Sequence, residues 1–151
     1  RSALQKQVNS TSTDVYNVAV GFEAGQEITT GIHNTIVGGL AGDQLTTGGN
    51  NTVVGLLALS TDTLGSKSVA VGQGALFAQN FTTATDSKNV AVGQNAGAAI
   101  TTGIRNTLLG HQAGDALTDA DFNVALGEGA LSADTLGSKS IAIGVNALNS
   151  H

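Results

Sequence analysis

Residues 34–50 read NTIVGGLAGDQLTTGGN, and the first five of them recur throughout the chain. Eight copies of the form Asn/Ser-x-x-x-Gly occur, and successive copies start 17 positions apart except for one interval of 21. A nearly constant period of this length is typical of a solenoid, in which each repeat forms one coil. The copies lie at 17–21, 34–38, 51–55, 68–72, 89–93, 106–110, 123–127 and 140–144.

The short repeats are grouped into a longer repeat. Thr-Thr-Gly-Ile at 29–32 returns at 101–104, and Thr-Leu-Gly-Ser-Lys-Ser at 63–68 returns at 135–140. Both copies are shifted by 72 positions, which is four times the period of 17 plus the inserted four. The chain therefore contains a duplicated block of four coils.

These repeats predict the domain organisation. Residues 17–151 form an eight-coil array divided into blocks 17–88 and 89–151, and residues 1–16 form a polar connector or the end of a preceding stalk. The chain begins at Arg1 and contains no Met, so we expect a processed product or a fragment of something longer.

Each copy has the pattern of a short strand followed by a tight corner. The position after the Asn or Ser is Val, Thr or Ile, and two positions later comes Val, Leu or Ile. This alternation predicts a strand whose inward face carries these two columns. A glycine follows in every copy, which indicates a positive φ or a close backbone approach. These corner glycines are Gly21, Gly38, Gly55, Gly72, Gly93, Gly110, Gly127 and Gly144.

Further columns indicate a narrow, stacked interior. Three residues after each corner glycine stands an alanine, and a second glycine such as Gly31, Gly48, Gly65, Gly103 or Gly137 marks a return corner. The Asn column is expected to form a side-chain ladder between stacked coils. The sequence thus predicts an all-β chain, a parallel β-solenoid of eight 17-residue coils.

The middle position of each strand predicts association. With the flanking columns inward, this aliphatic column would face solvent along the whole solenoid in a monomer. We therefore expect an oligomer, with three chains around an axis as the favoured arrangement. The column comprises Ala19, Ile36, Val53, Ala70, Ala91, Leu108, Ala125 and Ala142.

Composition excludes several other classes of protein. Net charge is −5, which argues against binding nucleic acid, whose phosphates require a basic face. The absence of Cys excludes disulfides and thiolate metal sites, and no apolar run is long enough to cross a membrane. We expect no cofactor and no metal: His33, His111 and His151 fall in different columns, and no catalytic constellation is present.

The repeats resemble those of two families of extracellular fibres. Ser68–Leu76 and Ser140–Leu148 resemble the S-x-A-x-G-x-x-A head repeats of YadA-like trimeric autotransporter adhesins. Asn34–Gly49 and Asn89–Gly103 are similar to the N-T-x-x-G-x-x-A-G-x-x-x-T-T-G repeats of bacteriophage tail fibres. The resemblance covers about residues 17–148 and implies a left-handed β-roll, a homotrimer, and a receptor-binding or spacer role on a virion or a bacterial surface. The 17-residue units favour the fibre.

Two surface features are candidate contact sites. The column before each strand collects four of the six Lys and Arg residues and forms a basic, aromatic ridge suited to anionic glycan or lipopolysaccharide. Interchain pairing of this ridge with Asp43, Asp62, Asp115 and Asp134 is the structural alternative. Phe77 and Phe81, in the insertion, form either a contact loop or a tolerated bulge. The ridge comprises Tyr16, His33, Asn50, Lys67, Lys88, Arg105, Phe122 and Lys139.

These features predict a non-enzymatic segment of an extracellular trimeric fibre, from a phage tail fibre or a bacterial adhesin head. In this hypothesis the segment is a rigid shaft that presents receptor-contact surfaces, with copies of itself as partners. The alternative is a monomeric solenoid that binds a regular surface such as polysaccharide or ice.

Overall fold

The computed structural model describes residues 2–8 and 14–149, and this part of the chain is all-β, without a helix. Strands of two or three residues alternate with turns. The strands are β1 (Val18–Val20), β2 (Thr35–Val37), β3 (Thr52–Val54), β4 (Gly65–Ser66), β5 (Val69–Val71), β6 (Thr85–Asp86), β7 (Val90–Val92), β8 (Thr107–Leu109), β9 (Val124–Leu126) and β10 (Ile141–Ile143).

The strands stack as a parallel β-solenoid, as the repeat predicted. Eight of them form one parallel sheet in the order β1-β2-β3-β5-β7-β8-β9-β10, and β4 pairs with β6 in a second, two-stranded sheet. The register follows the repeat, because Val18 pairs with Thr35 and Val69 pairs with Val90 across the longer coil. The chain makes about 7 turns with a spacing of about 17 residues.

The inward face of each strand is the opposite of the one we expected. The middle residue points into the solenoid: Ile36, Ala70 and Leu108 are fully buried. The flanking residues point outward, and Val18 is 51% exposed. Both sets of columns are aliphatic, so alternation alone does not select the inward face. The middle residues join a core cluster with the alanine column and with Ile28, Leu45, Ile100 and Leu117 on the far side of the coil.

The interior is narrow, as the alanine column predicted. Seven of the eight alanines are fully buried, and the eighth, Ala147, is half-buried in the last coil. A larger side chain there would displace the wall of a coil that has little depth. The buried alanines are Ala24, Ala41, Ala58, Ala75, Ala96, Ala113 and Ala130.

The corner glycines have a positive φ and also approach the backbone of the next coil closely, two conditions that favour glycine. All eight have φ between 123° and 143°. In seven of them a Cβ would also collide with the next coil; at Gly93 it would lie 2.3 Å from the carbonyl oxygen of Gly110. Gly144, in the last coil, would meet only the Cβ of Ala147, at 3.9 Å.

The N-terminal segment continues the solenoid. From the sequence we expected a polar connector or the end of a preceding stalk, and not part of a coil. Leu4 N–H donates to the carbonyl of Ala24 and Lys6 N–H to that of Gln26, both at 3.1 Å. The side chain of Lys6 pairs with Glu27 at 2.6 Å. Residues 2–8 therefore lie on the first coil, and residues 9–13 lie outside the described residues.

Gly93→Ala should destabilise the fold more than Gly144→Ala. Both substitutions force alanine into a positive φ, but only at position 93 would the new Cβ enter the backbone of the next coil. We expect an additional loss of about 1–3 kcal/mol, the typical cost of overpacking. Chemical denaturation of the two variants measures the difference, and equal losses would show that coil contact is not the constraint.

Candidate functional site

The described part of the chain offers surfaces rather than a pocket. Within residues 2–8 and 14–149 no cavity is found, and no group of three His, Cys, Asp or Glu side chains could hold a metal ion. His33 and His111 are both exposed and far apart in sequence, and His151 lies outside the described residues. The candidate features predicted from the sequence lie along the outside of the stack.

A buried ladder of Asn side chains holds the coils in register beneath these surfaces. Asn106 Oδ1 accepts a hydrogen bond from the N–H of Asn123 at 2.9 Å, one coil ahead. Its Nδ2 donates to the carbonyl of Ala120 at 2.8 Å, at the end of its own coil. The predicted column is confirmed, but its hydrogen bonds run mainly from amide to backbone rather than from amide to amide.

The ridge is a continuous exposed column with an unusual backbone. All eight of its residues have φ between 44° and 64°, in the left-handed region. The N–H groups of six of them bond to the preceding coil; for example, His33 donates to Val15 at 2.7 Å and Arg105 to Ser87 at 2.8 Å. The side chains are thereby aligned in one row, which the sequence column predicted. The positive φ was not predicted, since glycine occupies none of these positions.

Side chains along the ridge contact one another from coil to coil. The rings of Tyr16 and His33 stack with centroids 5.7 Å apart, and the Arg105 guanidinium carbon lies 5.2 Å from the centroid of Phe122. One cation of the ridge, the Arg105 guanidinium, therefore lies over an aromatic face.

Within the chain, the ridge residue Lys67 pairs with Asp86, a carboxylate that the sequence analysis did not select. Lys67 Nζ lies 2.5 Å from Asp86 Oδ2, and this hydrogen bond lowers the pKa of Asp86, with the charges of Lys67 and Lys88 adding to the effect. Asp62, which we considered as an interchain partner, is fully buried in its own chain. It is therefore unavailable for that role.

The insertion builds a buried polar cluster rather than a simple loop. Gln79 Nε2 donates to Asp62 Oδ2 at 2.7 Å and to Ser68 Oγ at 3.0 Å, while Gln79 Oε1 accepts from Asn89 Nδ2 at 2.8 Å. The side chain of Gln79 thus fills the space left where Ser68 replaces the ladder Asn. This replacement within the Asn column was the available sequence signal for the cluster.

The two phenylalanines of the insertion have different environments. Phe77 is 41% exposed and Phe81 is 5% exposed. The N–H of Phe81 also donates to Asp62 Oδ1 at 3.3 Å. Only Phe77 is therefore placed where a ligand could contact it, and Phe81 belongs to the interior.

Burial perturbs three carboxyl groups. Desolvation raises the pKa of Asp62, although its hydrogen bonds to Gln79, Gly65 and Phe81 oppose the shift. Desolvation likewise raises the pKa of Asp43 and of Asp115. These two residues are separated by the 72-residue shift and each has a buried Oδ1 without a hydrogen-bond partner.

The outward face of the main sheet is a further candidate surface. It carries two aliphatic or Thr columns side by side, with no charged residue in either. Exposure is highest at the ends, where Val20 is 59% and Ile143 is 67% exposed. The outer sheet face comprises Val18, Thr35, Thr52, Val69, Val90, Thr107, Val124 and Ile141 in one column, and Val20, Val37, Val54, Val71, Val92, Leu109, Leu126 and Ile143 in the other.

No known protein family, no curated protein and no solved structure matches the chain. Among residues 2–8 and 14–149, no helix has the length and apolar character needed to cross a membrane.

Asn106→Ala should destabilise the chain far more than Ser140→Ala. The first variant leaves the buried N–H of Asn123 and the carbonyl of Ala120 without partners, at a cost of about 3 kcal/mol. Ser140 stands in the same column, and among the described residues its side chain makes no hydrogen bond to another coil. Thermal and denaturant unfolding compare the two, and similar losses would contradict the role of the ladder.

Asp62 should make the fold less stable as pH rises above the ordinary aspartate pKa of 3.8. A raised folded-state pKa means that the folded chain binds the proton more tightly than the unfolded chain between the two pKa values. The free energy of unfolding therefore falls as pH rises through that window.

Across this pH range, the free energy of unfolding should fall less steeply with rising pH in Asp62→Asn than in the unmodified chain. The slope is the readout, since the substitution also changes the hydrogen bonds to Gln79. Asp134→Asn, at the equivalent position of the second block, is the matched control. An unchanged slope in Asp62→Asn would contradict the assignment.

Proposed function

We propose that the chain is a non-enzymatic shaft segment of an extracellular trimeric fibre. In this proposal three copies pack side by side through the outer sheet face and present the ridge to solvent. The observation that carries it is the unbroken uncharged face along all eight strands of the main sheet. The resemblance to tail-fibre and adhesin repeats supports the number of chains, the extracellular setting and the left-handed winding.

The outer sheet face has the uncharged chemistry of an association surface and extends along the whole stack. Parallel strands are about 4.8 Å apart, so eight strands extend about 34 Å along the solenoid. A continuous apolar stripe of this length is uncommon on a soluble monomer and marks a contact surface. Packing it against the same face of other copies would remove Val, Leu and Ile side chains from water, at about 25 cal/mol per Å².

A shaft role agrees with the internal construction. Successive coils are joined by backbone hydrogen bonds, by the Asn ladder and by interlocking glycine corners, all repeating along one axis. Such a stack resists bending because each coil contacts its neighbours over its full perimeter. Receptor contact is assigned to the ridge, whose side chains are all exposed, and to Phe77.

The alternative function uses the same face in a monomer. Thr35 and Thr52 are adjacent and in register on the outer sheet face, and Thr107 lies further along the same column. A flat, regularly spaced row of Thr and Val could bind a repetitive surface such as polysaccharide or ice. The oligomeric state separates the two proposals.

Adding charge to the outer sheet face should dissociate the fibre. The unmodified chain should have a solution mass near 45 kDa, three times 15.0 kDa, and Val71→Lys with Val92→Lys should reduce it to 15.0 kDa. Gln73→Lys with Gln94→Lys adds the same charge two residues away in the same coils and should leave the mass unchanged. Light scattering after gel filtration measures all three, and the mass of a single copy for the unmodified chain would favour the alternative.

Removing the ridge cations should abolish binding to anionic glycans without altering the mass. The substitutions are Lys67, Lys88, Arg105 and Lys139 to Asn, a residue that tolerates positive φ and already occupies position 50 of the ridge. Sulfated glycans and lipopolysaccharide on an array are the probes, and Phe77→Ala tests the insertion separately. Unchanged binding by the ridge variant would remove the ridge from the proposal.

A further inference from the structure

Two columns border the outer sheet face, one on each side. The ridge residue stands two positions before the first outward residue of each strand, and the second border residue stands two positions after the last one. In the row that contains β5 the order is Lys67, Val69, Val71 and Gln73, and both border residues are exposed. The second border, here called the corner column, comprises Phe22, Gly39, Leu56, Gln73, Gln94, His111, Glu128 and Val145.

The coil bends away from the outer sheet face at both borders. On one side a corner glycine with positive φ, 132° at Gly72, directly precedes the corner column. On the other side the ridge residue itself has a left-handed φ, 64° at Lys67. The two borders are therefore the edges of the face and not parts of its flat middle.

The ridge is cationic beside three adjacent strands of the main sheet, β5, β7 and β8. These strands follow Lys67, Lys88 and Arg105, and all three side chains are exposed. Lys67 is paired with Asp86, whereas neither Lys88 nor Arg105 belongs to an ion pair within the described part of the chain. The ridge therefore offers cations at the spacing of adjacent strands, about 4.8 Å.

The corner column carries hydrogen-bonding side chains beside the same three strands. Gln73, Gln94 and His111 follow β5, β7 and β8 and are exposed. Gln94 Nε2 donates to Gln73 Oε1 at 3.3 Å, so the two amides contact each other from coil to coil. A side-chain amide both donates and accepts hydrogen bonds, as the hydroxyl groups of a sugar also do. Elsewhere the column includes large apolar residues, such as Phe22 and Val145.

Rotational symmetry would bring opposite borders of neighbouring copies together. In the proposed trimer all strands run in the same sense around the axis, so the end of a strand in one copy faces the start of a strand in the next. The start is bordered by the ridge and the end by the corner column. Contacts in a closed ring of this kind are heterologous, which means that two different surfaces meet.

We propose that each groove between neighbouring copies is a composite binding site for a linear anionic glycan. One wall is the ridge of one copy, with Lys88 and Arg105, and the other wall is the corner column of the next copy, with Gln73 and Gln94. The carboxylate or sulfate groups of the glycan bind the cations, and its hydroxyl groups bind the amides. This site rests on the proposed trimer and specifies which surfaces of two copies hold the ligand.

The repeat spacing favours an extended sugar polymer that lies along the solenoid. Cations and amides recur at about 4.8 Å, which is close to the length of one sugar unit in an extended chain. Because the coil bends away from the face at both borders, the groove is open to solvent along its length. Charge on its walls is therefore screened by water and salt, and a polymer can bind there without entering a pocket.

Complementation between two defective variants tests whether one site uses two copies. The ridge-defective variant carries Lys88→Asn with Arg105→Asn, and the corner-defective variant carries Gln73→Glu with Gln94→Glu. Each variant alone should bind a heparin oligosaccharide about tenfold more weakly than the unmodified chain, because one wall has lost its cations or gained negative charge. Isothermal titration calorimetry measures the affinity and the number of sites per chain.

Co-expression of the two variants in equal amounts should restore tight binding. A native groove forms wherever the ridge of a corner-defective chain meets the corner column of a ridge-defective chain. Random assembly gives this pairing in about a quarter of the grooves. About a quarter of the sites should therefore return with the affinity of the unmodified chain.

A second mixture separates a composite site from a site within one chain. It combines the unmodified chain with a chain that carries all four substitutions, and a composite site again predicts about a quarter of the sites. A site within one chain predicts about half of the sites in this mixture and none in the first. That second pattern would overturn the proposal, and so would full binding by the corner-defective variant alone.

Two controls complete the design. Gln44→Glu with Ala133→Glu adds the same charge at exposed positions away from both borders and should leave heparin binding unchanged. The solution mass separates failure of the site from failure of the proposed function. Failed complementation at a mass near 45 kDa, three times 15.0 kDa, would overturn the composite site alone, whereas a mass of 15.0 kDa for the unmodified chain would overturn the trimer as well.

Discussion

In six of the eight repeats the coil is fixed to the next by one side-chain amide, that of the Asn that precedes the strand. Its oxygen accepts the N–H of the equivalent residue one coil ahead, and its NH₂ group donates to a carbonyl further along its own coil, as Asn51 does to Gly65 at 3.0 Å. The first bond sets the register between coils and the second closes the coil on itself. A shorter or longer coil would lose one of these two hydrogen bonds, unless another side chain replaced it.

The 21-residue coil shows what such a substitute requires. Ser68 is too short to reach across the coil, and Gln79 enters the interior from the insertion to bond both Ser68 and Asn89. Asp62 completes the cluster, although its carboxyl group is buried as a result. The insertion therefore preserves the stacking on both sides, and the outer sheet face and the ridge pass through it without interruption.

Much of this arrangement could be predicted from the sequence, because the period indicates a solenoid, the corner glycines indicate tight corners and the alanine column indicates a narrow interior. Which residues of each strand point inward could not be predicted, since Ala70 and its neighbours Val69 and Val71 are all acceptable in a core. Selection between them depends on packing against the opposite wall of the coil, which the alternation within the strand does not describe. The basic column of the ridge could be recognised in the sequence, whereas the left-handed backbone conformation of its residues could not. The fit of residues 2–8 on the first coil was detectable from the 72-residue shift, which relates Leu4 to Leu76.

The outer sheet face links the fold to the proposed fibre, and small-angle X-ray scattering can test that link through the mass per unit length of the particles. This quantity counts the chains lying side by side and is unaffected by end-to-end contacts. Side-by-side association predicts three chains, 45 kDa or three times 15.0 kDa, for about 34 Å of eight stacked strands. A value of one chain over the same length would contradict it.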